Sequence, residues 1–201
     1  MANEVFSHWA ADYPILHRPS FLAMIDGLHC IAASSGNPTF QHNGWPAGLT
    51  AFEYNGESLH IEGKACIPIS VHAAAAQLFY VLSIAAQLQI RRHRFVNNPT
   101  RYHRQALAFS SIAIGEGSMC SLQVILLQVL HSFLSPDGES TWISLHIAMA
   151  LSIDLGLHRD VHASPQFSTT AVQMRRRIFF STYSLDRYAS IDHETLEFVI
   201  N

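Results

Sequence analysis

Charged side chains are scarce in this chain: only 13% of its 201 residues are Asp, Glu, Lys or Arg, whereas about a quarter is usual in soluble domains. Twelve Lys and Arg against fifteen Asp and Glu give a net charge of −3, and 49% of the residues are hydrophobic. Disordered chains combine low hydrophobicity with high net charge, and nucleic-acid-binding domains are strongly basic. Composition therefore excludes disorder and argues against a wholly basic nucleic-acid binder. It indicates a folded domain that either has part of its surface prepared for a partner or is a piece of a larger fold.

Cysteines are also few, and they lie far apart. Cys30, Cys66 and Cys120 form no C-x-x-C pair, so the sequence encodes neither a zinc ribbon nor a disulfide framework. We expect them to be small buried side chains in a reducing compartment. Residues 1–9 have neither the basic start nor the apolar run of a signal peptide. The sequence therefore predicts an intracellular protein.

Long apolar runs are limited to residues 71–90, which are long enough to cross a bilayer and are followed by Arg91 and Arg92. The run contains a histidine, a serine and three glutamines, and four of its apolar residues are the alanines at positions 73–76. Such a composition gives little driving force for transfer into lipid. We therefore expect a buried helix and no membrane partner, with an interfacial or membrane-spanning segment as the alternative.

Strict alternation of apolar and polar residues, which half-buried strands require, is absent over any useful length. Apolar residues instead repeat at helical spacing. The first such helix begins behind the predicted N-cap Ser20 and places Phe21 and Leu28 on one face. Later helices are predicted over residues 141–155 and 169–190. The earlier of these two is apolar on nearly all sides, so we expect it to be central and buried.

Residues 34–64 interrupt the helical pattern with five glycines and two prolines. Loops of this length are usually functional or disordered rather than neutral connectors. The length of the chain suits one domain. The sequence therefore predicts a single all-α domain over residues 1–201, an irregular helical bundle with one long irregular loop at about residues 34–64.

The motif Gly-Leu-His-Arg-Asp at residues 156–160 contains the His-Arg-Asp of protein-kinase catalytic loops. A kinase also needs a strand lysine and a downstream Asp-Phe-Gly, but Lys64 is the only lysine and no Asp-Phe-Gly occurs. The motif instead has the pattern of a helix end. We expect Gly156 to take the left-handed conformation, with His158 and Arg159 beside the negative end of the helix dipole.

Three consecutive arginines, Arg175, Arg176 and Arg177, lie within the last predicted helix. Because successive residues turn by about 100°, they fan over more than half of the helix circumference and cannot form one flat nucleic-acid-binding face. In a chain with so few charges, we expect at least one of them to pair with Asp154 or Asp160, since a planar guanidinium suits a half-buried carboxylate.

Thirteen histidines raise the question of a metal site. Only His158 and His162 are four residues apart, no H-E-x-x-H occurs, and no carboxylate completes a ligand set at a recognisable spacing. The nucleophile elbow, the dinucleotide-binding glycine motif and the phosphate-binding loop are absent as well. We therefore predict no catalytic, cofactor-binding or metal-binding residues. A small helical metabolite- or metal-binding protein or enzyme that uses the histidines is the alternative.

Three segments carry a more specific pattern, in this order and spacing. The first comprises Phe6, Trp9 and residues 13–21, the second residues 102–107, 121–127 and 142–160, and the third residues 174–187. Together they resemble the fungal-specific transcription factor domain, the regulatory region of fungal binuclear zinc-cluster regulators, over about residues 6–190. The motif residues that carry this resemblance are His17, Pro19, Phe21, Gly156, His158, Arg159, Asp160, Arg175, Arg176, Arg177, Asp186 and Arg187.

The resemblance implies an all-helical regulatory domain in the nucleus that controls transcription, often of a metabolic or secondary-metabolite pathway, without catalysis. The zinc ions of the family belong to a DNA-binding module with six cysteines. This sequence does not supply them, so no cofactor and no direct DNA contact by that route are expected. The implied partner is another protein or a full-length homologue, and a small-molecule effector is a further implication.

The sequence carries two further expectations about structure. The family usually continues from Asp186 and Arg187 into a Gly-Arg-Pro motif and further helices, which are not found here, so we expect a shortened homologue with core surface left uncovered. We also expect an ion-pair and capping network that fixes the helix over residues 141–155 against the helix over residues 169–190. Its members are Gly156, Arg159, Asp160, Arg175, Arg176, Arg177, Asp186 and Arg187.

Overall fold

The computed structural model describes residues 13–33, 39–93, 97–135, 141–162 and 167–200, and of residues 191–200 it describes the backbone alone. Within these ranges the regular structure consists of six helices and one short hairpin. The elements are α1 (Arg18–Ala33), β1 (Leu59–Ile61), β2 (Lys64–Cys66), α2 (Val71–Arg91), α3 (Pro99–Gly115), α4 (Met119–Ser132), α5 (Thr141–Asp154) and α6 (Thr169–Ile200). Apart from the two three-residue strands, every element is helical, which confirms the all-α class.

The start of the first helix differs from the prediction. Ser20 was expected to cap α1, but α1 begins at Arg18, so Ser20 lies in the first turn. Pro19 explains the difference, because proline has a helical φ and its missing N–H needs no partner in the first turn. The hydroxyl of Ser20 lies 2.7 Å from Nδ1 of His17 instead. An N-cap of the expected kind is present at α2, where Ser70 accepts a hydrogen bond from a first-turn N–H.

The centre of the bundle is α4, which is buried along its whole length except at Gln128 and Ser132. The prediction that the helix over residues 141–155 is central is wrong. In α5 only Leu145, Ala148 and Ser152 are buried, because the helix packs mainly against α4 and α6. An apolar surface on all sides shows that a helix must be covered, but it does not show that the covering elements lie in the same chain.

Among the described residues, α2 is the helix that is long and apolar enough to cross a membrane, but 61% of this stretch is buried inside the fold. Ala73, Ala74 and Ala76 are fully buried, and α3 packs along α2. Near the other end, Ser83 donates a hydrogen bond to the carbonyl of Pro99 over 3.0 Å. These contacts are those of a core helix.

The segment between α1 and α2 is irregular, as predicted, but it contributes to the core. Residues 34–38 of the predicted loop lie outside the described residues. Within residues 39–70, the almost fully buried apolar side chains are Trp45, Tyr54, Ile67 and Ile69. The indole Nε1 of Trp45 donates to the Ile69 carbonyl over 2.6 Å. The segment is therefore a packed layer that closes one side of the helical bundle, and it includes the hairpin of β1 and β2.

Candidate functional site

The end of α5 is closed by a glycine in the left-handed conformation. Gly156 has φ +65°; its N–H bonds to the Ile153 carbonyl over 2.8 Å, and the Leu157 N–H bonds to the Ser152 carbonyl over 3.0 Å. These two bonds form a Schellman motif, which satisfies carbonyls that the helix leaves unpaired. Leu157 is 3% exposed. Gly156 thus has the predicted C-cap conformation, and the chain turns from α5 toward α6 at this point.

Arg175 of α6 binds the same helix end. Its guanidinium donates to the carbonyls of Leu155 and Gly156 over 2.9 and 3.3 Å and lies 5.4 Å from the centroid of the Phe167 ring. A cation at the carboxyl end of a helix is favoured by the helix dipole and by the unpaired carbonyls. Arg175 therefore joins the start of α6 to the end of α5 through carbonyls rather than through a carboxylate.

Arg176 supplies the ion pair that the sequence led us to expect. It pairs with Asp160 over 2.5 Å, with 43% and 64% of the two side chains exposed. The hydrogen bond from Arg176, and then its charge, lower the pKa of Asp160. Because water screens exposed pairs, this contact orients the residues more than it stabilises the fold. Asp154, the other candidate partner, makes no ion pair within the described part of the chain.

The rest of the expected network does not reach α5. Asp186 and Arg187 pair with each other within α6, and neither bonds to α5 in the described ranges. They lie eleven and twelve positions beyond Arg175, about 17 Å further along the helix, which is too far from the carboxyl end of α5. His158 and Arg159 are exposed.

The amino-terminal motif lies next to the arginine triplet. Burial, and then the charge of Arg177, lower the pKa of His17, so these two motif residues are close in space although they are far apart in sequence. Phe21 is completely buried, whereas Pro19 is exposed in the first turn of α1. The first and third motif segments of the resemblance therefore meet at one side of the bundle.

A serine–histidine contact of the kind that hydrolases use is present at His17 and Ser20. Ser20 is only 6% exposed, and its hydroxyl also accepts the backbone N–H of Asn55 over 3.2 Å. A nucleophile must be able to approach a substrate carbonyl, and this hydroxyl is enclosed. The bond from the Asn55 N–H to Ser20 fixes the irregular segment against α1.

A buried hydrogen-bond network continues from this point into the core. Asn55 Nδ2 donates to Gln123 Oε1 over 3.0 Å, and Gln123 Nε2 donates to the Ile15 carbonyl over 2.6 Å. The Tyr54 hydroxyl donates to Gln77 Oε1. These bonds tie the amino-terminal residues, the irregular segment, α2 and α4 together. Sequence reasoning missed the network, although a glutamine within each of two apolar helices was a signal for it.

Gly56 allows the turn that follows Asn55 to contact the start of α6. It has φ +77°, and a Cβ at this position would lie 2.6–2.7 Å from atoms of Ser168, Thr170 and Ala171. The Ser168 hydroxyl donates to the Gly56 carbonyl over 2.6 Å. Because both the backbone angle and the space exclude a side chain, only glycine fits here.

Two histidines of the core are stacked. The rings of His103 in α3 and His131 in α4 are 4.1 Å apart between centroids and 18° from parallel. His131 is 3% exposed, and its Nε2 has no hydrogen-bond partner. Burial, and then the charge of His103, lower the pKa of His131 to about 4. In the folded protein this imidazole is therefore neutral at physiological pH.

The described residues contain no group of three or more His, Cys, Asp or Glu placed to hold a metal ion. The predicted alternative pair, His158 and His162, lies on the exposed stretch that follows α5. The buried thiol of Cys120 is also unsuited to catalysis, because burial raises its pKa and the thiol rather than the reactive thiolate is favoured. Cys120 is therefore a packed interior side chain.

The most unusual surface is formed by α5 and α6. At 100° per residue, the exposed apolar residues of α5 fall within one arc of about 140°, opposite its buried side. Large apolar side chains on both helices are 40–63% exposed. We call this surface the α5–α6 face; its residues are Trp142, Ile143, Ile147, Ile153, Phe180, Tyr183 and Tyr188. The arc on α5 is an exposed apolar stripe of the kind that marks interaction sites.

The chain matches a known protein family over most of its length. The family described as "Fungal specific transcription factor domain" matches residues 3–195, slightly more than the span of the predicted resemblance. This chain belongs to that family. All three motif segments lie within the matched residues, and two of them meet around His17 and Arg177 in the fold.

Three relatives illustrate the range of similar proteins. The chain is 25% identical over 121 residues to Pyrimidine pathway regulatory protein 1 of Saccharomyces cerevisiae, covering 60% of this chain and 13% of the relative. It is 36% identical over 86 residues to Negative regulator of pleiotropic drug resistance STB5 of Candida glabrata, covering 38% and 9%. It is 22% identical over 190 residues to Transcriptional activator protein acu-15 of Neurospora crassa, covering 94% and 16%.

The chain thus spans only about a tenth to a sixth of the length of these relatives. No solved structure matches it significantly. The regulatory titles of the relatives describe proteins much longer than this one.

Proposed function

We propose that this chain is a regulatory domain that takes part in the control of transcription in the nucleus, and that it acts by protein association rather than by catalysis. Membership of the fungal-specific transcription factor domain family supports the regulatory role. The titles of two similar proteins name a pyrimidine pathway and pleiotropic drug resistance. We propose control of a metabolic pathway, with secondary metabolism as one such class.

The α5–α6 face is the observation that carries the proposed mechanism. Aromatic side chains and arginine are enriched in protein interfaces, whereas other charged residues are depleted at their centres. Phe180 and Tyr183 provide exposed aromatic rings on α6, with the guanidinium of Arg187 5.6 Å from the Tyr183 ring centroid. On α5, Asp154 is the single charged residue.

The occupant we propose is a second domain of the same family, either a second copy of this chain or the corresponding domain of a full-length relative. The two halves of the face are complementary in charge: α5 offers Asp154 among apolar side chains, and α6 offers Arg177 and Arg187 among aromatic rings. A twofold arrangement places each half against the other half of the partner, which is the form that most homodimer interfaces take.

Sedimentation velocity over a range of protein concentrations tests this mechanism. We expect the wild-type chain to dimerise reversibly and the Ile147→Glu variant to sediment as a monomer, because it places a carboxylate at the centre of the face. Ile112→Glu is the matched control: Ile112 is 52% exposed on α3, outside the face, and Ile147 is 49% exposed. The control should dimerise like the wild type.

Two results would contradict the mechanism. One is an Ile147→Glu variant that dimerises as tightly as the wild type. The other is a wild-type chain that stays monomeric both alone and when mixed with the corresponding domain of a full-length relative. The proposal requires neither a metal ion nor direct contact with DNA. It also requires no small-molecule effector, which would act on the domain separately.

A further inference from the structure

The chain carries a single lysine side chain. Lys64 is the only lysine among its twelve Lys and Arg residues, and the other eleven are arginines. A guanidinium keeps its proton in proteins and is not a nucleophile, whereas a lysine ammonium can release its proton and attack a carbonyl carbon. Any reaction that forms a stable amide on a side chain of this protein therefore has one amine to act on.

Lys64 lies at the tip of the hairpin. It directly follows the turn residues Glu62 and Gly63, whose φ angles of +51° and +78° are both positive, as in a tight type I′ turn. The side chain is exposed, and neither of the ion pairs formed by the described residues involves it. The amine is therefore accessible from solution and is not held by a carboxylate.

A cysteine thiol lies beside this amine on the same strand. In β2, Lys64 pairs with Ile61 and Cys66 pairs with Leu59. Because side chains alternate between the two faces of a strand, residues 64 and 66 share a face, with their Cα atoms about 7 Å apart. Cys66 Sγ donates a hydrogen bond to the Lys64 carbonyl over 3.6 Å. The thiol therefore leans along the strand toward Lys64, within reach of the flexible four-carbon stem that carries the lysine Nζ.

Cys66 and Lys64 both line a half-open groove of about 330 Å³ between the hairpin and the loop at residues 41–47. Cys66 is half-buried, and its contact with the Lys64 carbonyl lies at the surface. Of the other two thiols, that of Cys30 is exposed on α1 and that of Cys120 is buried in α4. Cys66 is therefore the thiol that combines access from solution with an amine two residues away on the same face.

We propose that Lys64 is a self-acylation site, at which Cys66 takes an acyl group from an acyl thioester such as acetyl-coenzyme A and passes it to the lysine. In the first step the Cys66 thiolate attacks the thioester carbonyl, a new S–C bond forms, and the bond to the coenzyme A sulfur breaks. Coenzyme A leaves as a thiolate and takes up the proton that Cys66 has lost. The product is S-acyl Cys66, and no oxidant or reductant is consumed.

The second step moves the acyl group along the strand. The deprotonated Nζ of Lys64 attacks the S-acyl carbonyl, an N–C bond forms, and the S–C bond to Cys66 breaks. The proton of the amine passes to the Cys66 sulfur, which regenerates the thiol. Because both groups belong to one strand, this step is intramolecular and avoids the entropy cost of a second encounter. The amide removes the positive charge from the tip of the hairpin.

This site goes beyond the proposed regulatory function and does not depend on it. In the test, the purified chain is incubated with acetyl-coenzyme A at mildly alkaline pH, and peptide mass spectrometry follows the acetylation of Lys64. We expect Cys66→Ala to slow this acetylation at least about tenfold, because direct attack by the lysine is bimolecular. An unchanged rate in the Cys66→Ala variant would overturn the proposal.

The Lys64→Arg variant isolates the first step. It keeps a cation at position 64 but removes the amine that accepts the acyl group, so S-acetyl Cys66 should accumulate. Neutral hydroxylamine cleaves thioesters and leaves amides intact. It should therefore remove the acetyl group from Cys66 in this variant and leave the acetyl group on Lys64 in the wild type. A Lys64→Arg chain whose Cys66 carries no acetyl group would contradict the proposed entry through the thiol.

Two matched controls separate proximity from general reactivity. Ala65→Cys combined with Cys66→Ala moves the thiol next to Lys64 in sequence but onto the opposite face of β2, and Lys64 should then react as slowly as in Cys66→Ala alone. Arg101→Lys adds an exposed amine on α3, which should react at the same slow rate with and without Cys66. Wild-type speed in the face-swapped variant, or an equal loss of rate at position 101 when Cys66 is removed, would show that the same-face thiol does not deliver the acyl group.

Discussion

The helices α4 and α5 have the same length, 14 residues, and both are strongly apolar. Twelve residues of α4 are buried, but only three of α5. The difference lies in their neighbours, since α4 packs against α2, α3 and α5, whereas α5 packs mainly against α4 and α6. Two helices with the same apolar character therefore have different roles: one completes a core, and the other presents a surface.

The largest expected effect separates the two helices by stability. Leu126 of α4 is completely buried, and Ile147 of α5 is 49% exposed. Leu126→Ala should lower the free energy of unfolding by about 2–5 kcal/mol, because it removes packed atoms and leaves a cavity. Ile147→Ala should change it by less than about 0.5 kcal/mol, as measured by urea denaturation at a protein concentration that keeps the chain monomeric. Similar losses in the two variants would mean that α5 is as well covered as α4.

A second comparison uses the histidine that each helix carries, His131 in α4 and His146 in α5. The folded pKa of His131 is about 4, below the ordinary value of 6.5, so the unfolded chain binds more protons between these pH values. The free energy of unfolding should therefore fall as the pH is lowered from 6.5, by about 2 kcal/mol at pH 4.5. Chemical denaturation at several pH values measures this loss.

The matched variants for this prediction are His131→Leu and His146→Leu. The first removes the buried imidazole and should flatten the pH profile in this range. The second changes an exposed side chain and should leave the profile as in the wild type. A profile that keeps its slope in the His131→Leu variant would assign the pH dependence to other groups.

The smallest effect concerns how α5 is attached to the rest of the molecule. Arg175→Ala should lower the free energy of unfolding by about 1–2 kcal/mol, because it leaves the Leu155 and Gly156 carbonyls without a charged donor. Arg176→Ala removes a pair that water already screens and should cause no measurable change. Thermal unfolding of both variants makes the comparison. Equal shifts would show that the exposed pair matters as much as the carbonyl cap.

Much of the fold was predictable because its signals are local. The all-α class follows from apolar spacing, and the left-handed Gly156 follows from a glycine after the last helical turn. The partner of Arg176 was one of two candidates, in a chain with few acids. The first two inferences need only residues that are close in sequence. The third needs only a choice between two candidate carboxylates.

The remaining features depend on contacts that sequence spacing does not encode. The bond between Gln123 and Ile15 joins residues 108 positions apart, and its members have no shared motif. The hairpin was missed because its strands are three residues long and its turn is Glu62-Gly63, which differs from the Asn-Gly and Asp-Gly pairs that identify such turns. The exposure of α5 could not be predicted, since it depends on which neighbours a helix has.

The hydrogen bond between Ser168 and Gly56 spans 112 positions, and this has a consequence for biosynthesis. The bond cannot form until the ribosome has translated beyond position 168 and the intervening polypeptide has closed a long loop, which is an entropically slow event. Until then, the residues that α6 will cover are open to other nascent proteins. A nascent polypeptide that stops short of position 168 therefore carries uncovered apolar surface, which is the kind of surface that chaperones bind.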